Sequence, residues 1–397
     1  MARLPLRSAS DGVDSYGNKL PPYAPGLSGE RFAYVGPEVY HSLSGLAGTV
    51  KAELALSAFG ALDDIDALAA RAGLNEVEDQ GCFELSGGQQ ATLAVTASAA
   101  LRPRLLALDC CLEQVDAPRR KTLLSSILDF DNAMTLVVAD NEMDDLPIPD
   151  GTLRLNHEPG DGSLQMSTAG CESALPPRHS SPRLCMKGIH FAYRNSAPVL
   201  RGLDIDLDPG SVYWLRGANG SGKSTVAKIL AGVLVPQKGE IFTDGKMTRL
   251  TERPGALASY HFQNPDFQLF STDVLGEVSS GPRATGCPEA EALDRSRHAL
   301  AQMAIPEALY RRHPLDLPFA LRKRVAVAAA ISSGTPWLVL DEPSLGQDCH
   351  NTSAFATLIR AIAEAGTGVI LISHSSRLQS EVPGQTLWLE GGVVRYE

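Results

Sequence analysis

Residues 217–224 read Gly-Ala-Asn-Gly-Ser-Gly-Lys-Ser and fill the pattern G-x-x-x-x-G-K-[ST] completely. An apolar run, VYWLR, precedes them and a helix-forming stretch, TVAKILAGVL, follows, which is the strand–loop–helix context such a loop requires. The chemistry is anion binding. Gly217, Gly220 and Gly222 let the backbone fold closely around phosphates, and the successive amides through Asn219 and Ser221, with the helix N-terminus, favour negative charge. In such a loop Lys223 reaches the β and γ phosphates and Ser224 ligates Mg²⁺.

Four further groups accompany the loop. TPWLVLDEPSLGQD is an apolar strand ending in Asp341-Glu342, and GVILISHSS is another ending at His374. Upstream, GIHFAYRN places Tyr193 before the loop, and FQNPDFQLF, between the loop and the acids, carries Gln263. This set, in this order, resembles the nucleotide-binding domain of ABC (ATP-binding cassette) proteins over roughly residues 183–397. The resemblance implies an α/β P-loop NTPase fold of ABC type, a mixed sheet plus a helical subdomain, acting on ATP with Mg²⁺. It implies that Tyr193 stacks on adenine and that Thr225 adds a hydroxyl near the α-phosphate. Asp341 would hold Mg²⁺ through water, with Ser224 and Gln263 also at the metal. Glu342 would orient and deprotonate the attacking water, and His374 would contact the γ-phosphate.

A second signal lies far upstream, in ELSGGQQATLAV. Leu85-Ser86-Gly87-Gly88-Gln89 resembles the ABC signature, yet no phosphate-binding loop precedes it in the sequence. Spacings explain it. Ser86 precedes Asp109 by 23 residues and Pro318 precedes Asp341 by 23; Asp109 precedes Asp116 by 7 and Asp341 precedes Asp348 by 7. TLVVADNE stands where VILISHSS stands, with Asp140 opposite His374, and TLRLNHEPGDGSLQM mirrors TLWLEGGVVRY. Equal spacings over several segments predict an internal repeat. The expected organisation is a degenerate copy over 1–166, a Ser/Pro/Ala-rich linker over 167–182 and a fuller copy over 183–397.

The copies have complementary losses. The first lacks the loop, carries Cys110 where Glu342 stands, and has no glutamine in YVGPE at the position of Gln263. The second has Leu317-Pro318-Phe319-Ala320-Leu321 where a signature belongs, which removes the hydroxyl and the two close-approach glycines. ABC domains pair head to tail, each ATP lying between the loop of one domain and the signature of the other. The resemblance therefore implies one composite site, with Ser86, Gly87, Gly88 and Gln89 serving the other copy's nucleotide and Asp116 at the seam. Pairing within one chain and a head-to-tail homodimer both remain open.

Composition sets bounds. With 397 residues, 44% hydrophobic and 20% charged, the chain is globular and long enough for two or three domains. A net charge of −11 argues against direct nucleic-acid binding. No apolar leader and no run of about 18 apolar residues is evident. The seven cysteines show no CxxC pair, as expected of reduced thiols, and Cys110-Cys111 reads as buried small apolar residues. LRKRVAVAAA reads as a helix after the lost signature, with its charges solvated. FQNPDFQLFSTDVLGEVSSGP resembles ATPases of energy-coupling-factor importers, which implies a transmembrane coupling subunit and a cytoplasmic, peripheral position at the inner membrane face. Two alternatives stay open: a soluble ABC ATPase repurposed as a biosynthetic or regulatory enzyme, and one linked to translation or DNA repair.

Overall fold

The apolar runs that flank the candidate residues become neighbouring strands of one sheet. The computed structural model describes residues 32–58, 62–113, 115–131, 133–140, 166, 181–194, 196–218 and 220–396. Two units divide the chain, Met1–Thr152 and Leu153–Glu397.

In the first unit, β1 (Phe32–Val35) leads to α1 (Val50–Ala58), α2 (Leu62–Arg71), α3 (Gly87–Ala100), β2 (Leu105–Asp109), α4 (Ala117–Phe130) and β3 (Thr135–Ala139). The strands form a three-stranded sheet in the order β1-β2-β3, with both pairs parallel. One face packs Val35, Leu106 and Leu108 against Leu93 and Val95 of α3 and Leu123, Leu124 and Ile127 of α4. On the other strand positions Phe32, Tyr34 and Val137 stay exposed. Two polar side chains start the long helices. Ser86 caps α3 in a capping box with Gln89, and Asp116 caps α4 by accepting from the Arg119 amide at 3.0 Å.

The second unit runs β4 (Leu184–Phe191), β5 (Leu200–Leu207), β6 (Val212–Arg216), α5 (Lys223–Leu230), β7 (Lys238–Thr243), β8 (Lys246–Met247) and β9 (Ala258–His261). It continues with α6 (Val274–Ala284), α7 (Glu289–Gln302), α8 (Phe319–Ser332), β10 (Trp337–Asp341), α9 (Cys349–Glu364), β11 (Gly368–Ile372), α10 (Ser376–Glu381), β12 (Gln385–Glu390) and β13 (Val393–Tyr396). Six strands form the sheet β13-β12-β6-β11-β10-β9, parallel except for the terminal β12–β13 pair. A separate antiparallel sheet has the order β5-β4-β7-β8. Every residue of β10 and β11 is buried, as a parallel strand covered on both faces demands. Val339 and Ile370 face the core shared with α5; Leu338, Leu340 and Leu371 face the one shared with α8 and α9.

Several sequence expectations change. Met166, assigned to the first copy, is buried in the core of the second unit, and its amide donates to Asn351 Oδ1 at 3.1 Å. Ser181 and Pro182, assigned to the linker, are likewise fastened there: Ser181 Oγ donates to Pro336 O (2.7 Å) and Trp337 Nε1 to Pro182 O (2.9 Å). The rest of that linker, 167–180, and the proposed mirror segment 152–165 lie outside the described residues. Strand register also moves one pairing. Asp109 pairs with Ala139 and Asp341 with Ile372, so Asp140 falls at the place of Ser373, not His374. The residue that would face His374 is Asn141, outside the described residues. Finally, Arg322, Lys323 and Arg324 of α8 are buried, Lys323 completely, and are not solvated as the sequence suggested.

Gly368 has a packing role that yields a prediction. It lies opposite Trp337 in the β10–β11 register, and a Cβ there would sit 2.4 Å from the Trp337 ring. Gly368→Ala should lower the unfolding free energy of the chain by about 1–3 kcal/mol, the usual cost of overpacking, read as a lower urea midpoint at unchanged slope.

Candidate functional site

The carboxyl ends of β6, β10 and β11 bring the candidate residues together, as expected where the crossovers of a parallel sheet diverge. After β6 the chain turns through Gly217–Gly222 into α5. Gly217 has φ +148° and a Cβ there would lie 2.3 Å from Leu389 O; Gly222, the N-cap of α5, has φ +106° and a Cβ would meet Val199 Cγ1 at 2.7 Å. Both positions therefore require glycine. Gly222 offers no side-chain cap, which leaves the first amides of α5 to an external anion. Asn219 lies outside the described residues. Ser221 Oγ is buried and has no hydrogen-bond partner among the described residues.

Lys223 folds back onto the loop, donating from Nζ to Gly217 O (2.8 Å) and Ala218 O (3.1 Å). Burial lowers its pKa, while Glu342 and Asp341 pull it upward. The next residue reaches the acids: Ser224 Oγ donates to Asp341 Oδ2 at 2.8 Å. Thr225 is buried, and its hydroxyl lies 3.2 Å from the OH of Tyr193. The Tyr193 ring is 42% exposed and edge-on to Phe191, at 5.0 Å between centroids. Its anchored hydroxyl and open ring suit stacking on a planar base.

Asp341 and Glu342 end the buried strand β10. Asp341 also accepts from the Tyr260 hydroxyl at 2.9 Å. Glu342 takes φ +47°, a left-handed conformation unusual for this residue type. That turn lets its Oε2 accept from Ser373 Oγ (3.0 Å) and the His374 amide (3.3 Å), and puts His374 Nε2 3.9 Å from Oε1. Burial pushes both carboxyl pKa values up, and for Glu342 the neighbouring Asp341 adds to the push. Such a raised carboxyl is suited to accepting a proton.

Gln263 follows β9 and is held through its main chain, Lys323 Nζ donating to Gln263 O at 2.6 Å. Among the described residues, no hydrogen bond joins its side chain to Ser224 or Asp341. In the first unit, Ser86, Gly87, Gly88 and Gln89 form the start of α3; Gly88 is buried, and Gln89 Oε1 accepts the Ser86 amide at 3.0 Å. Asp116 is 38% exposed at the start of α4. The corresponding segment 317–321 begins α8 with Pro318 as an N-cap that makes no side-chain bond, and Phe319 packs beside Gly346.

Two participants escaped the sequence, Tyr260 and Ser373. Tyr260 sits 81 residues from Asp341 and becomes its neighbour only through the β9–β10 pairing. The first unit has a matching feature. Tyr34 OH donates to Asp109 Oδ2 at 2.8 Å, Cys110 takes φ +49°, and the Cys110 amide donates to Ala139 O as that of Glu342 donates to Ile372 O.

The geometry fits a nucleotide with a divalent cation. A hydroxyl and a carboxylate converge at 2.8 Å, and the carboxylate is buried and carries an upward-shifted pKa that a cation would reverse. The family model described as ABC transporter matches residues 200–345. The cobalt import ATP-binding protein CbiO of Salmonella typhimurium is 36% identical over 217 residues, 53% of this chain and 79% of that protein. An uncharacterized ABC transporter ATP-binding protein of Mycobacterium tuberculosis is 30% identical over 349 residues, 84% of this chain and 48% of that protein. A dimeric ATP-binding cassette in a post-hydrolysis state, bound to ADP and Pi, superposes with a TM-score of 0.50 at 22% identity. It covers 54% of this chain and 97% of its own, a likeness of fold.

Tyr260→Phe isolates the contact that the sequence did not show. Losing one donor to a metal-binding carboxylate should weaken Mg²⁺ affinity about 10-fold or more, with the fold retained. Magnesium titration in the presence of a nucleotide analogue, monitored by calorimetry, measures it.

Proposed function

The chain belongs to the ABC transporter ATP-binding family, and we propose that its residues 183–397 hydrolyse ATP at a site completed by Ser86–Gln89 of a paired first unit. The chain is an ATPase of that family, with ATP and Mg²⁺ as its ligands. The observation that carries the reading is the convergence of Ser224, Asp341 and Glu342 at the mouth of the glycine loop. Ser224 and Asp341 would hold Mg²⁺, which neutralises phosphate charge when bound. Gly217, Gly220, Ser221, Gly222 and Lys223 would hold the phosphates, and Tyr193 the adenine. Glu342, fixed by Ser373 and the His374 amide, would orient a water and accept its proton as oxygen attacks the γ-phosphorus. His374 would steady the γ-phosphate, and Gln263 would complete the water and metal contacts.

The repeat reading has three supports. Spacings recur in the sequence, the Tyr34–Asp109–Cys110 corner matches Tyr260–Asp341–Glu342, and α3 and α8 follow their leading segments at the same length. The alignment to the mycobacterial relative spans 84% of this chain, more than either unit alone. Under this reading Ser86 serves a nucleotide bound by the second unit, of the same chain or of another copy.

The ATPase would energise a membrane transporter of energy-coupling-factor type from the inner face of the membrane. Among the described residues no helix is long and apolar enough to cross a bilayer; under this reading a transmembrane partner would supply the path. Phe267 and Phe270, 79% and 76% exposed beside the Gln263 turn, offer an apolar surface to a transmembrane coupling subunit.

Turnover of the full chain tests the site. Glu342→Gln should cut the rate by about 10²- to 10⁴-fold while ATP still binds. Ser86→Asp is the sharper variant, because aspartate keeps the α3 cap as well as serine does yet sets a carboxylate against the phosphate. It should abolish turnover at unchanged thermal stability; wild-type turnover in Ser86→Asp sinks the trans reading.

A further inference from the structure

The burial of Lys323 is the feature the functional reading does not use. Its side chain is wholly buried in the first turns of α8, the largest charged side chain so placed among the described residues. A buried ammonium is costly and persists only with close acceptors or opposite charge. Lys323 has both. Nζ donates to Gln263 O at 2.6 Å, and its charge lowers the pKa of Asp341 and of Glu342 against the push of burial. His261, two residues before Gln263, is also wholly buried, with Nε2 3.5 Å from the Lys323 Nζ. Burial and the lysine together keep that imidazole neutral.

The neighbours of Lys323 reach the same turn and the loop after the acids. Arg322 Nη1 lies 3.4 Å from Asp266 Oδ1, and Gln268 Nε2 donates to Ala326 O at 3.1 Å. Arg324 Nε donates to Gln347 Oε1 at 2.7 Å, and Gln347 Nε2 returns a bond to Ala320 O. The start of α8 thus grips residues 263–268 from one side and residue 347 from the other. Among the described hydrogen bonds of α8, that of Lys323 reaches Gln263, the residue assigned to the water and metal.

We propose that Lys323 is a positioning residue for ATP hydrolysis, fixing the main chain at Gln263 so that the Gln263 side chain is presented to the reacting water. The inference rests on the site reading above and adds to it a residue of the helix whose signature is lost. Lys323 is wholly buried with its ammonium on the Gln263 carbonyl, so its effect on the reaction would pass through Gln263.

Two measurements on the full chain test this. The first is a double-mutant cycle on turnover. Lys323→Met should lower kcat about 10- to 100-fold, the scale of a small misplacement of a reacting group, with KM for ATP little changed. Lys323→Gln, which keeps a donor for the Gln263 carbonyl, should recover part of kcat. In a Gln263→Ala background, Lys323→Met should cost nothing further; an additive loss overturns the proposal, because a purely structural lysine would act in either background. The second is amide hydrogen exchange of residues 262–268 without nucleotide. Faster exchange there in Lys323→Met, with β4 and β5 unchanged, supports the clamp; unchanged exchange overturns it. A wild type without turnover would defeat the reading of the site, and exchange would still decide the role of Lys323.

Discussion

Two adjacent carboxylates, Asp341 and Glu342, are buried where a strand with no solvent-facing side comes to an end, and the second unit is arranged around that burden. At separations of about 5 Å and an effective dielectric of about 20, two like charges repel by roughly 3 kcal/mol. Removing each from water costs several kcal/mol more. Ser224, Tyr260, Ser373 and the His374 amide supply four donors to the pair. At about 1.5–3 kcal/mol for a bond to a charged group, these offset the repulsion but not the whole desolvation. The remainder is expressed as the raised pKa of both carboxyls, which nearby positive charge relieves. Lys323 lowers the pKa of both acids and Lys223 that of Asp341, and a divalent ion beside Ser224 would supply more. A site strained for want of positive charge is one suited to Mg²⁺ and to the transfer of a phosphoryl group.

The first unit has a corner of the same geometry with one carboxyl group fewer. Tyr34 holds Asp109 as Tyr260 holds Asp341, and Cys110 takes the same left-handed turn as Glu342. Burial raises the Cys110 thiol pKa, so this corner holds a neutral thiol where the other holds a second carboxyl group. A single carboxylate with a tyrosine donor needs no metal to be tolerated. The backbone conformation does not depend on the side chain because it is fixed by strand pairing: the amide after each aspartate donates to the last residue of the next strand.

Much of the site was legible because glycine spacing and apolar runs are local signals. The loop 217–224, the acids at the end of WLVLD and the histidine after GVILI lie within single strand–turn segments, and each falls where its strand ends. Tyr260 and Ser373 were illegible for the opposite reason, since their roles exist only across strands. The shift of Asp140 from His374 to Ser373 has the same origin: residue counting ignores the extra residue between β10 and β11, which hydrogen-bond register reveals. Ser86 and Asp116 were read for an external ligand, and the structure gives each a task as a helix cap as well. Both roles need a small oxygen-bearing side chain at a helix start, so residue type alone could not separate them.

The basic triplet of α8 shows how one helix divides its duties. Successive residues of a helix point about 100° apart, so Arg322, Lys323 and Arg324 span about 200° and cannot share one face. Sequence periodicity therefore treats them as solvated. Each instead meets a partner from a different direction: Asp266, the Gln263 carbonyl and Gln347. Those partners all belong to the second unit, and they bind its own loops together. A signature at 318–320 would serve only a nucleotide held by another domain. The proposed composite site makes no use of those positions. The triplet still has its function. A helix whose leading segment would face a partner domain, while its next residues hold its own unit together, can vary the one without disturbing the other.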